Sequence, residues 1–108
     1  MNQLAPISAA RLPWAEIAAS AGFVYCIRCD ATGMAKIGHS FDPEKRLREL
    51  QTANGHKLSL LGVLPGSRDL ERELHGLFAD RHRLGEWFED NDREVESVFF
   101  QTFLRVVS

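Results

Sequence analysis

Several residues in this chain could do chemistry by type and spacing. Glu71 and Glu73 sit among Leu70, Leu74, Leu77 and Phe78, apolar positions at helical spacing. With Leu70 at zero and about 100° per residue, that stripe centres near about 25°. Glu71 falls on the flank beside Phe78 and Glu73 on the other, so helical geometry alone does not choose between them. A half-buried carboxylate there can anchor Mg²⁺, which takes oxygen ligands and often only one or two carboxylates. The structural alternative is a solvated, salt-bridged glutamate. Arg46 and Arg48 offer guanidinium forks that match two phosphate oxygens. Either could equally be a surface cation paired with Asp42 or Glu49. Tyr25 is the only tyrosine. Its phenol can hydrogen-bond or take a proton from water, or the ring can simply pack in a strand. Lys36 suits a base or a phosphate contact, and His39 a proton carrier or phosphate contact. His75, four residues after Glu71, could hold that carboxylate, touch a substrate, or merely pack. His56 and His82 fall in loops and receive no role.

Cys26 and Cys29 form a C-x-x-C, which suggests a redox pair or half of a zinc site. There is no second C-x-x-C to complete such a site. Their segment reads as a strand, where residues three apart point to opposite faces. Two unrelated, reduced thiols are expected.

The elements that must position these groups are legible. Gly22–Cys29 is β-branched and aromatic and reads as a strand. Asp30–Gly33 is a turn, and Met34–His39 returns as the second arm of a hairpin. Ser40-Phe-Asp-Pro-Glu starts a helix, with Asp42 as cap and Pro43 at its first position. That helix should run to about Ala53 with Leu47 and Leu50 inward, and Asn54-Gly55 ends it. Leu58–Leu64 is a third strand, closed by Pro65-Gly66. A second helix runs from Ser67 or Asp69 to about Ala79, and a polar loop with Gly85-Glu-Trp-Phe follows. A last helix from about Asp92 to Val106 carries Val95, Val98, Phe99, Phe103 and Val106 on one face. The order β-β-α-β-α-α predicts an α+β sandwich: a three-stranded antiparallel sheet flanked by helices. Residues 1–21, Ala-rich with Pro6 and Pro13, read as an appendage, 22–89 as the core, and 90–108 as a helix packed on it.

A length of 108 residues is one domain, and a 44% hydrophobic, 26% charged composition is that of a globular protein. There is no apolar run of the ~20 residues a membrane span needs, and Met1–Ser20 does not read as a secretory signal. A cytoplasmic protein without membrane contact is expected. The net charge of −2 does not by itself call for nucleic acid. Its distribution is uneven: Gly22–Gly85 has ten Lys and Arg against eight Asp and Glu, whereas Glu86–Ser108 has two against six.

Five short motifs, in order, resemble those of GIY-YIG nucleases. Phe23-Val-Tyr25-Cys-Ile27 resembles the first motif and Lys36-Ile-Gly38 the second. Pro43-x-x-Arg46-Leu-x-x-Leu50 resembles the helix bearing the family's arginine. Leu70-Glu71-x-x-Leu74-His75 is similar to the helix bearing its metal-binding glutamate, and Gly85-Glu-Trp-Phe88 to the closing motif of the compact phage and bacterial branch. Phe23 replaces a glycine, and Lys36 replaces a tyrosine in a manner common in that branch.

The resemblance implies a DNA endonuclease that hydrolyses phosphodiester bonds with one Mg²⁺ or Mn²⁺. Glu71 would be the metal ligand, Arg46 the cation facing the developing charge, and Tyr25 with Lys36 or His39 the managers of the water's proton. Gly38, Ser40, Arg48 and His75 would be substrate contacts. Trp87 would close the core, with base stacking as its alternative. The rival expectation is an inactive domain of the same fold that binds nucleic acid or a partner protein, since 108 residues leave little surface for sequence recognition. A homodimer through the last helix is a further expectation, because Phe100, Leu104 and Val107 widen its apolar face.

Overall fold

The computed structural model describes residues 20–107. The expected N-terminal appendage lies almost wholly outside the described residues. Strand β1 (Phe23–Cys29) and strand β2 (Met34–Ser40) form the antiparallel hairpin. Helix α1 (Pro43–Thr52) follows, then β3 (Leu58–Pro65), which pairs antiparallel with β1. Helix α2 (Arg68–Leu77) and a 3₁₀ turn (Ala79–Arg81) lead to two short strands, β4 (His82–Leu84) and β5 (Trp87–Glu89). Helix α3 (Glu94–Val107) closes the fold. The α+β class and the first three strands match the expectation. The sheet, however, has five strands in the order β3-β1-β2-β5-β4. The extra pair lies where the sequence reads as a polar loop, for a physical reason. Each strand has three residues, and every residue of β4 is exposed, so neither shows an apolar alternation. Gly85, with φ at 59°, makes the turn between them.

Alternation along the strands divides the core in two. One face carries Val24, Cys26, Ala35, Ile37 and Leu64, covered by Leu74 and Phe78 of α2 and Val95 and Phe99 of α3. The other carries Tyr25, Ile27, Cys29 and Leu58, covered by Leu47 and Leu50 of α1. Cys26 and Cys29 are buried, free, and in different clusters, as the alternation requires. Helix α2 departs from its expected stripe. Its buried positions are Glu71, Leu74 and Phe78, while Leu77 is 65% exposed. The helix is turned toward Glu71, so a carboxylate faces the sheet where a leucine was expected. Among the described residues, no helix is long and apolar enough to cross a membrane.

The chain end is fastened by a buried polar pair. Asp90 accepts from the Val95 and Glu96 amides at 2.7 and 3.2 Å, capping α3, and from Arg28 Nη1 at 3.3 Å. Both side chains are nearly water-free and depend on polar partners, and Arg28 also bonds Asp30 Oδ1 at 2.8 Å and the Asp90 carbonyl at 3.2 Å. Asp90→Ala is therefore expected to cost about 2 kcal/mol in urea unfolding, chiefly through the lost cap of α3.

Candidate active site at an open sheet edge

The site forms where β5 leaves β2. Their pairing covers only Met34–Lys36, and the last link at this end is the Ile37 amide donating to the Glu86 carbonyl at 3.2 Å. Beyond it, Gly38 occupies β2 opposite Tyr25. A Cβ at Gly38 would overlap the Tyr25 hydroxyl and stand 2.9 Å from Glu86 Oε1. The missing side chain thus leaves space at the sheet edge for the Tyr25 hydroxyl beside Glu86.

From the α1 face come Tyr25, Lys36 and Arg46. Helix α1 is set by its start: Ser40 Oγ accepts from the Asp42 amide at 2.9 Å, Asp42 caps by accepting from the Lys45 amide at 3.1 Å, and Pro43 fills the first turn. That start aims Arg46 at the Tyr25 phenol, with Glu49 Oε1 3.3 Å from Nη1. Burial raises the Tyr25 pKa above the usual phenol value; the Arg46 contact opposes this, and the carboxylates of Glu86 and Glu71 add to it. Its hydroxyl stays protonated at neutral pH and acts as a hydrogen-bond donor. Lys36 Nζ lies 3.1 Å from Glu86 Oε1 and 5.6 Å from the Trp87 ring centre.

From the α2 face come Glu71 and His75. Glu71 is 5% exposed. Its Oε1 lies 3.7 Å from Arg68 Nη1 and its Oε2 4.0 Å from His75 Nε2. Glu71 Oε2 is buried with no hydrogen-bond partner. Burial, then the neighbouring Glu86 carboxylate, raise the Glu71 pKa above the ordinary carboxylate range. Glu86 is held below it: burial raises it, but Glu71, Lys36 and His75 together lower it further. Two carboxylates therefore share one place, and their mutual repulsion disfavours both being charged without a cation between them. His75 donates from Nε2 to the Ile37 carbonyl at 2.7 Å, satisfying a backbone oxygen at the open edge, and sets its ring edge-on to Phe88.

The donor set fits a divalent metal. Ligand atoms of Glu71, His75 and Glu86 lie within 4.8 Å of one another. Oxygens around one Mg²⁺ stand roughly 3 to 4 Å apart, so a small closure suffices. The unpartnered Glu71 oxygen needs a proton or a cation. Because His75 Nε2 is bonded to a carbonyl, the two carboxylates are the better ligands.

The structure brings together Tyr25, Lys36, Gly38, Arg46, Glu71 and His75, and adds Glu86. It does not bring in the other three candidates. His39 alternates to the opposite face from Tyr25, where Nε2 meets the Ala21 carbonyl at 2.5 Å and the ring packs on Phe41. Arg48 is exposed on α1, about 200° around the helix from Arg46. The Ser40 hydroxyl is spent on the start of α1. Glu86 carries no expected role in the sequence; its place in the closing motif is the available signal, and the hairpin register brings it beside Glu71.

Fold and site together define a small α+β domain with a buried and a half-buried carboxylate side by side, and an arginine and a tyrosine near them at an open sheet edge. The chain belongs to the T5orf172 domain family, whose model matches residues 22–102. The domain is found in phage and bacterial proteins and is related to GIY-YIG-like and HNH-type nucleases. No curated protein and no solved structure matches the chain.

As the only tyrosine, Tyr25 makes phenolate absorbance a clean readout. In the folded protein it should ionise above the ordinary value of about 10. Stability from burying the neutral phenol is complete below that value and is lost as pH rises through the folded one. Arg46→Ala should move the ionisation higher still. Gly38→Ala should cost about 1–3 kcal/mol by overpacking and displace Tyr25, read by thermal melting and the same titration.

Proposed function

We propose that this domain is a metal-dependent endonuclease that hydrolyses phosphodiester bonds in DNA by GIY-YIG-type chemistry. The observation that carries the reading is the buried Glu71 oxygen without a partner, beside a second carboxylate and within reach of a phenol and a guanidinium. Glu71 and Glu86 would hold Mg²⁺ or Mn²⁺. Bound there, the ion supplies positive charge to the phosphate oxygens.

The remaining work falls to the chain's own groups. Arg46 presents a fork to the phosphate oxygens as charge builds on them. Tyr25, kept protonated, orients water or a phosphate oxygen through its hydroxyl. It becomes a proton acceptor only as pH approaches its raised value. Lys36 keeps Glu86 at the site through their ion pair and places a second cation near the substrate. His75 ties α2 to the open edge of β2 and so fixes the depth of Glu71.

A second reading, nucleic-acid binding without cleavage, draws on one observation. The Lys36–Glu86 ion pair already neutralises one of the two carboxylates. Plasmid nicking with Mg²⁺ or Mn²⁺ separates the readings. The nuclease should nick, Glu71→Ala should abolish nicking without unfolding the protein, and Arg46→Ala should slow it by about 100- to 1,000-fold. Gel-shift binding with no nicking under any metal would favour the second reading.

A further inference from the structure

Apart from the notch beside Gly38 where Tyr25, Glu71 and Glu86 meet, α1's far end and the β4–β5 hairpin line a cavity of about 380 Å³. Its volume lies in the usual range for small-ligand pockets, about 300–1,000 Å³. Apolar surface from Trp87, Leu84 and Met34 forms much of the wall, and Arg83, His56 and Asn54 supply polar groups. Trp87 is half-buried, while Leu84 is 78% exposed, an unusual place for a leucine with nothing to cover. The cavity is continuous with the reactive edge through two residues: Trp87 lines it, and Lys36, whose ammonium sits 5.6 Å from that ring's centre, bonds Glu86.

Charge narrows the occupant. A second cavity of about 360 Å³, by Phe23, Phe41, Leu60 and Val63, includes Asp42 and Glu44 in its lining and would repel a phosphate chain. The first has Arg83 and no acidic lining residue. An aromatic ring, aliphatic walls, an amide and a guanidinium together suit a flat, polar-edged ring attached to a phosphate. We infer that this cavity takes one unstacked nucleobase of the DNA strand, holding the neighbouring phosphate toward Lys36 and the notch. The inference rests on the proposed DNA substrate and adds where the strand is gripped.

The test is binding without cleavage. Full-length protein in EDTA is titrated with a fluorescein-labelled oligothymidylate of about twelve nucleotides and with an abasic tract of equal phosphate count. The thymidine tract should bind about 5- to 100-fold more tightly, the gain expected from base–aromatic stacking. Trp87→Leu should erase that difference and Trp87→Phe should keep it, which a packing role alone would not do. Arg83→Ala should weaken both tracts alike. Equal binding of the two tracts by the wild type, a comparison that needs no variant, overturns the inference. So does no binding of either. Nicking by a wild type that binds both tracts equally sinks the base pocket alone. Preference for the thymidine tract by a protein that never nicks sinks the nuclease reading alone.

Discussion

The short pairing between β2 and β5 governs the site. A full-length β5 would continue past Ile37 and pair with β2 beside Gly38, closing the open edge. Instead the ladder stops with the Ile37–Glu86 bond, and three consequences follow from that stop. The Ile37 carbonyl is left for His75, which draws α2 against the edge. Glu86, at the last bond of the ladder, turns its side chain toward Lys36 and Glu71. Gly38 leaves room for the Tyr25 hydroxyl beside it. Strand termination, usually a passive event, here determines which residues meet.

Electrostatics then explains why the helices are seated as they are. Burying a carboxylate is costly unless it finds a partner. Helix α2 nonetheless turns Glu71 inward and leaves Leu77 in water, an exchange that an apolar stripe alone would reverse. The offsetting groups are partial: Arg68 is mostly exposed, His75 is shared with a backbone oxygen, and Glu86 carries the same charge. Such a region is under-neutralised by design of its parts, in the way that sites receiving a cation tend to be. Elsewhere the buried charge is fully met. Asp90 has two amides and Arg28, and its function is to hold α3 in place.

Local rules made much of this legible from residues alone. The Asp42 cap, Pro43 at N1, the hairpin and the separation of the two cysteines all follow from neighbours within a few positions, and each appears in the structure. What failed was non-local. Strands β4 and β5 exist because Phe88 is buried against α2 and the β1–β2 hairpin, which nothing within a three-residue segment announces. The choice between Glu71 and Glu73 could not be made from helix angles, because the helix rotates to suit the sheet edge. Arg46 and Arg48 are likewise separated by the motif resemblance and not by helix geometry, and the placement of α1 sets Arg46 against Tyr25. His39 looked eligible by adjacency to Gly38, but one residue along a strand is the opposite face.

The hairpin that supplies Glu86 is also the most lightly attached part of the sheet. It is joined to β2 by three residue pairs, β4 is wholly exposed, and its base is tied by Arg81 to Asp92 at 2.7 and 2.8 Å. In a protein whose stability is unevenly distributed, such a unit opens before the β1–β2–β3 core does. One half of the acidic pair is therefore on the lightly attached hairpin, and the other is on a helix packed into the core. The spacing of the two carboxylates is thus set by how firmly three residue pairs seat that hairpin on β2.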